Sequence, residues 1–484
     1  MITHFQSYAD FINNLTSFYS SNKFLFDAHF TIDGRFSHAL MKMIFLDVDS
    51  IFDLLRPLYH QSLGRPAKNQ IQILRSLILM AHYRTYSIDK WVSTLNKDSS
   101  LASLCGFENN VSSVSSHYDF INRLFQGQKY SRNDFILDDK PYKKPDRSQK
   151  PSKGCKWKNY DDLVTVQLYD HFLQNINHAE NLDEYVFLQL FDILGVQFSK
   201  KYGLIEDNIT ISGDGTCFHG HAHCYGRNIK LNDTYKRYSD LDADWGWDSD
   251  KNMFYFGYTG YSISTINRKY NIDLPIFLTM AKASQHDAIT SMTALAQLCS
   301  INNCLHFSHY CLDCASDNIS THRLVYSLGI LPVIDVNHRL TSGNIYEPYQ
   351  GISENGRPIC MAGHECIRDG YDKKRFRHKF RCPFAQRKEN SCPMKEQCTK
   401  SKYGRVFHVK SKDDLRLFGV VQYNSDEWKT IYKDRTSCER INNRIINDYK
   451  FKDNFMRGKS HNFLMLMMVG INLHLDALIK VQSL

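Results

Sequence analysis

Three acidic residues stand where this chain could do phosphoryl chemistry. Asp214 closes the alternating run "NITISGDGT" (208–216), Asp313 closes "HFSHYCLD" (306–313), and Glu439 lies in "IYKDRTSCERINNRI" (431–445). In the last segment Tyr432, Arg435 and Glu439 are spaced by three and then four residues. At about 100° per residue they fall within about 60° of one another, on one helical face. A carboxylate at a strand end is held rigidly yet can meet a ligand. Three carboxylates around one gap repel one another unless a cation lies between them. Hard oxygen donors suit Mg²⁺. Two such ions about 3.5–4 Å apart can activate a nucleophile and stabilise a leaving oxygen in an in-line displacement. Taken singly, each acid has a plainer explanation: a turn at Asp214-Gly215-Thr216, a helix cap at Asp313, a surface ion pair at Glu439. Asp317 competes with Asp313 as the second carboxylate, and the strand end favours Asp313. The ordered trio in one fold pattern argues for a site with Asp214, Asp313 and Glu439 as ligands of two Mg²⁺ ions, replaceable by Mn²⁺.

The elements that must position these residues are legible in the periodicity. Residues 1–139 read as helical, through "NQIQILRSLILMAHYRTYSIDKWVSTLN" (69–96), "LASLCGF" (101–107) ending at Gly106, and "SVSSHYDFINRLF" (113–125) opened by capping serines. Residues 161–207 return to helical spacing. From 208 the period changes to that of strands. "MFYFGYTGYSISTI" (253–266), "LPIFLTMAKA" (274–283), "HFSHYCLD" and "ILPVIDVN" (330–337) read as strands. "HDAITSMTALAQLCS" (286–300) and "DNISTHRLVYSLG" (317–329) read as helices, with Asp317 the expected cap of the second. Three strands, helix, strand, helix, strand is the ribonuclease-H-like order. The predicted fold is therefore α/β. A ribonuclease-H-like mixed sheet spans 208–340, a basic Cys-rich insertion (341–425) interrupts it, helices at 426–484 complete it, and an all-α domain precedes it.

The 484 residues are 42% hydrophobic and 23% charged, enough apolar material for a large core. The net charge of +9 is compatible with a polyanionic partner. The N-terminus shows no basic region followed by an apolar run, so no secretory leader is expected. "FLMLMMVGINLHLDALI" (463–479) is short for a membrane span and carries His474 and Asp476, so a buried helix is expected and no membrane partner. The 14 cysteines are then free thiols or metal ligands in a reducing cytoplasm. "KPYKKPDRSQKPSKGCKWK" (140–158) holds eight Lys/Arg and three Pro. It reads as a basic linker (140–160) that contacts DNA phosphates, with Trp157 among its lysines.

Five cysteines fall between the second Asp and the Glu. Cys360, Cys382, Cys392 and Cys398 are the expected ligands of a structural Zn²⁺, with Cys366 or His364 as substitutes. Buried free thiols are the alternative. The flanking "YDKKRFRHKFR" (371–381) is basic and is expected along DNA. "CFHGHAHC" (217–224) offers His219, His221 and His223, for which a DNA-facing or structural loop is expected rather than a metal. Cys311 and Cys314 flank Asp313 and are expected to pack rather than to act as a redox pair.

The combination of "ISGDGT", "LPIFLTMAKASQHDA", "LDCASDNISTHRLVYSLGILPVIDVNHR" and "YKDRTSCERINNRI" resembles the DDE transposases of bacterial insertion sequences. "YSDLDADWGWDS" (238–249) and "FYFGYTGY" (254–261) also resemble segments of that family, and the likeness covers most of 60–475. The opening stripe is similar to the family's Tyr-x2-Arg-x3-Glu-x6-Lys signature. The resemblance implies that Glu439 is the third metal ligand and that Tyr432 and Arg435 contact phosphates, with Arg440 also assigned there. The signature's Lys position is Ile446 here, and Lys450, one helical turn further, is the expected substitute. It further implies an enzyme that cuts the ends of its element and joins the freed 3′-OH to target DNA. Its partners would be double-stranded DNA, as terminal inverted repeats and target, and a second copy of the chain on that DNA. Its location would be cytoplasmic, at the bacterial nucleoid. The alternatives are a decayed or domesticated DNA-binding protein and a nuclease that cuts without joining.

Overall fold

Serine and aspartate side chains start four of the N-terminal helices. The computed structural model describes residues 5–125 and 164–483, apart from 33, 60–66, 109, 176–183, 231–233, 238, 303, 338–350, 385–391, 402 and 412–413. The basic linker 140–160 lies outside these residues. Ser7, Ser87, Asp98 and Ser113 accept N–H bonds at the starts of Tyr8–Ser21, Ile88–Lys97, Ser99–Cys105 and Val114–Leu124. The run 69–96 divides into Gln70–His82 and Ile88–Lys97, with Arg84 at φ 59° between them. Gly106, at φ +88°, ends Ser99–Cys105 in the left-handed region, as its sequence position suggests.

The helix Lys459–Gln482 is the spine of the molecule. It packs against Gln70–His82, Gly34–Phe45 and the main sheet. By length and composition it could cross a membrane, but it is mostly buried within the protein. Its polar residues are partnered there. His474 bonds to Ser199 at 2.7 Å and to the Pro275 carbonyl at 2.8 Å. Asp476 pairs with Lys42 at 2.6 Å.

The main sheet is mixed. Its strands are β1 (Asn208–His219), β4 (Asp244–Asp248), β5 (Met253–Asn267), β6 (Ile272–Lys282), β7 (His306–Leu312) and β8 (Leu331–Ile334), and a hairpin of β2 (Arg227–Lys230) and β3 (Thr234–Arg237) follows β1. The order is β4-β5-β1-β7-β8, with β6 also on β5. The pairs β4–β5, β5–β6 and β5–β1 are antiparallel, while β1–β7 and β7–β8 are parallel. Helices Asp287–Ile301 and Ile319–Ser327 make the two crossovers. The second is capped by Asn318, not by Asp317 as its sequence position suggested, because Asp317 turns inward. Glycines let strands approach closely in the sheet. A Cβ at Gly257 would sit 2.2 Å from the Phe218 carbonyl oxygen, so Gly257→Ala is expected to cost about 2 kcal/mol or more, read from the urea midpoint.

Between β8 and the last helices lie the two-stranded β9 (Gly351–Ile352) and β10 (Pro358–Ile359), and a sheet of β11 (Ile367–Asp372), β12 (Arg377–Arg381) and β13 (Val406–Lys410). This part has more apolar material than its basic sequence suggests. Cys360, Cys366, Phe380, Phe407, Val409 and Phe418 form one core with Cys311, Val333 and Trp428. The small sheet is thereby seated against the β7–β8 side of the main sheet.

Candidate active site

The parallel pairing of β1 with β7 ends at Ser212 beside Cys311. Two residues further along each chain are Asp214 and Asp313. Asp214 is not at a strand end as expected, because β1 continues to His219 along β5. It sits instead where β7 leaves β1, and that opening gives the side chain its gap. Asp313 accepts the Ala315 N–H at 3.2 Å and starts the turn Cys314–Ser316, so it caps and also faces the gap. Asp317 is committed elsewhere. Its side chain is buried, lies 3.5 Å from Arg416 and from His322, and accepts the Asn337 N–H at 2.8 Å. The geometry therefore favours Asp313 as the second carboxylate.

Tyr432, Arg435 and Glu439 do share one face, although not on an uninterrupted α-helix. Asp426–Tyr432 passes through a 3₁₀ turn, Lys433–Arg435, into Thr436–Asn443. Arg435 Nη1 donates to Glu439 Oε1 at 2.5 Å. Tyr432 stacks on Trp428 at 4.3 Å with the rings 17° apart. Asn442, one helical turn beyond Glu439, donates to Asp214 at 3.4 Å and accepts from Ser262 at 2.8 Å. These bonds tie the helix to β1 and β5.

Burial pushes the Asp214 carboxyl up to about 7; Arg435 pulls it down, and Asp313, Asp287 and Glu439 add to the rise. Burial works against the Arg435 charge, but Tyr432, Glu439 and Asp214 outweigh it and its pKa rises. The site thus has more negative charge than one guanidinium offsets. Its donors are carboxylate oxygens, which fits a hard divalent cation at Asp214, Asp313 and Glu439. Among the described residues no three His, Cys, Asp or Glu are already arranged to hold an ion. Among the acids, Glu439 is turned onto Arg435.

Two residues expected at phosphates are placed differently from the helical stripe. Arg440 forks onto Asp273 at 2.6 and 2.7 Å and bonds Thr436 at 2.6 Å. It braces the helix against β6. Arg440→Ala is therefore expected to lower stability while leaving the salt dependence of DNA binding unchanged, and a shallower salt slope would contradict this. Lys450 does not continue the stripe. The helix widens into a π-turn at Arg444–Asp448, and Lys450 has φ 51°, outside any helix.

Asp287 was not singled out in the sequence. At the first position of Asp287–Ile301 it reads as an ordinary acidic helix start. Only the fold brings it to Gly215, where a Cβ would lie 3.1 Å from its Oδ1.

The expected four-thiolate zinc site at Cys360, Cys382, Cys392 and Cys398 is not formed among the described residues. Burial pushes the Cys366 thiol up to about 12, with Cys360, Cys382 and Cys398 adding to the rise, so the nearby group includes Cys366. Cys360 and Cys366 belong to the small apolar core. The three histidines after β1 go to separate partners: His219 to Asp248 at 2.8 Å, His221 onto Phe455 at 4.1 Å, His223 against Tyr225 at 5.8 Å. Cys311 is buried, as expected of core packing. In the basic run 371–381, Lys379 and Arg381 are paired with Asp369, and Arg377 with Asp372, which removes part of the expected cationic surface.

Two family matches bear on this arrangement. Residues 26–123 match a family described as a transposase domain (DUF772), and residues 359–476 match one described as a transposase DDE domain. Both matches are to transposase families, and together they support a DDE transposase of insertion-sequence type. No curated protein and no solved structure matches it. The DDE match takes in Tyr432, Arg435 and Glu439 and the cysteine-containing segment, while Asp214 and Asp313 lie N-terminal to it. The matched DDE family generally comprises polynucleotidyl-transferase-type enzymes that act on DNA and use divalent metal.

Proposed function

We propose that this transposase cleaves the ends of its mobile element and transfers the freed 3′-OH ends to target DNA, using a ribonuclease-H-like centre of Asp214, Asp313 and Glu439. The carrying observation is that β1 and β7, paired in parallel up to Ser212 and Cys311, deliver Asp214 and Asp313 to one opening that Arg435 and Glu439 cover. Divalent ions held by the three carboxylates would supply activation of the attacking oxygen and charge stabilisation at the leaving oxygen. The protein's own residues do the rest. Asn442 fixes the Asp214 side chain against the helix. When a DNA phosphate enters, Arg435 exchanges Glu439 for it, which frees Glu439 to join the aspartates. Stacking on Trp428 orients the Tyr432 ring beside that phosphate. The helices before residue 125 read the terminal repeats, and two copies act together on paired ends.

Strand transfer by purified protein on DNA bearing the element's own ends tests this. Wild type should cut and join with Mg²⁺, and Glu439→Gln should bind the ends and do neither. If wild type binds without cutting in Mg²⁺ or Mn²⁺, the chain is a non-enzymatic DNA-binding protein. If it cuts without joining, it is a nuclease. A structural zinc ion in the cysteine segment is a separate reading, which one zinc per purified chain would support and zinc-free folded protein would remove.

A further inference from the structure

The small sheet β11–β12–β13 has two unlike faces. Alternation buries His378 and Phe380 of β12 and Phe407 and Val409 of β13. The last three share a core with Cys311 of β7 and with Trp428, which stacks on Tyr432. The sheet is thus fixed to elements of the candidate site. Its other face is cationic. Arg377 stands opposite Lys410, and Lys379 opposite His408. Like charges directly opposite on one face repel, and an anion laid across them relieves the repulsion. Residues 373–381 and 406–410 carry seven Lys/Arg and no acid. Asp369 and Asp372 of β11 take Lys379, Arg381 and Arg377, which leaves the turn between β11 and β12. Lys373, Lys374, Arg375 and Phe376 are all exposed there, Phe376 by 61%. Among the described residues the three cations make no ion pair and the Phe376 ring meets no other ring. Phe376 has φ 46°. Its carbonyl accepts the Ser411 N–H at 2.8 Å, and the Arg375 N–H donates to Asp372 at 3.2 Å, so the turn is held from both sides. A turn that only reverses the chain takes Gly or Asn at such a φ, and a bulky residue there is an outlier. Here the fold holds a phenylalanine in that conformation, with its ring in solvent among three cations.

We infer that the turn Lys373–Phe376 and the outward face of β12 and β13 form a contact surface for duplex DNA. The cations take backbone phosphates, and Phe376 makes an apolar contact in the groove between them. The inference rests on reading the chain as DNA-acting, and not on the three carboxylates. Phosphate contacts fix where a duplex lies without reading its bases. Apolar side chains placed among cations serve as wedges in a groove. The surface is therefore independent of sequence, and it adds to the end recognition assigned to the N-terminal helices.

The test is binding of the full chain to a random-sequence duplex and to a duplex of the element's own end, across a range of salt, with the Tm of each variant. Lys373→Gln, Lys374→Gln and Arg375→Gln combined should flatten the fall of log K with log salt by up to about 3, since each phosphate contact contributes about 0.9. Phe376→Gly, whose backbone favours φ 46°, should keep the wild-type Tm. It should weaken the random duplex about tenfold and leave the salt slope unchanged, because an apolar contact releases no counterions. Asp369→Asn releases Lys379 and Arg381 and should tighten binding, a gain that a purely structural pair does not give. If the triple variant and Phe376→Gly both bind the random duplex with wild-type affinity and slope, the turn is merely solvated. The inference is then overturned, and the proposed function is untouched. If they bind the duplex like wild type but lose binding to polyglutamate, the face suits an acidic protein and the inference again falls. If wild type binds neither duplex, the DNA-acting reading fails and takes this inference with it.

Discussion

Asp214→Asn should reduce end cleavage and joining by on the order of 10³-fold or more, while the protein still binds element ends. Asp214 touches the helix through Asn442 and faces Asp313, so it is the carboxylate that links the two halves of the proposed site. Asparagine keeps its shape and one acceptor but removes the charge a divalent ion needs. The substitution also has a signature in stability. A carboxyl raised in the folded state stabilises the fold while it stays protonated, below the unfolded range near 3.8. That contribution is lost as pH climbs through about 7. Metal-free wild type should therefore lose stability between about pH 4 and 7. Asp214→Asn should flatten that loss, and its metal-free Tm at pH 8 should exceed that of wild type. Unfolding in EDTA across this range checks the sign. A variant less stable than wild type at pH 8 would mean that Asp214 is structurally satisfied, contrary to the electrostatics described above.

Lys42→Met should destabilise the protein by about 3 kcal/mol, at the low end for breaking a buried ion pair. Lys42 is fully buried in Gly34–Phe45. Its Nζ reaches Asp476 at 2.6 Å, Asn472 at 2.9 Å, and Tyr449 and His82 at 3.1 Å each. Burial lowers the Lys42 pKa, and Asp476 offsets part of that fall. Removing Lys42 leaves Asp476 with the Tyr449 hydroxyl at 2.5 Å and Arg444 at 3.3 Å, which is why the low end is expected. The loss would be read from urea unfolding, followed by probes in both the N-terminal helices and the C-terminal helix. Lys42→Met with Asp476→Leu should recover part of it. A loss under about 1 kcal/mol would show that the pair does not dock the N-terminal helices onto the spine.

What the sequence determined by itself was local. Periodicity placed the strands from β5 to β8 and the helices between them, because alternation and helical spacing depend on which face is buried. Capping chemistry placed the helix start at Ser113, since a side chain within three residues supplies the acceptor. Asp313 after a strand and the Tyr432–Arg435–Glu439 face were readable for the same reason. The tertiary structure decided which charged groups meet. Arg440 was drawn to Asp273, 167 residues away, and Asp317 to Arg416, 99 residues away. Lys450 left the helix at a π-turn that no spacing rule announces. Asp287 reached Gly215 only because its helix crosses β1. Neighbours in space across such separations are set by strand order and packing. A residue's type and spacing say what chemistry it can do, and the fold chooses the partner with which it does it.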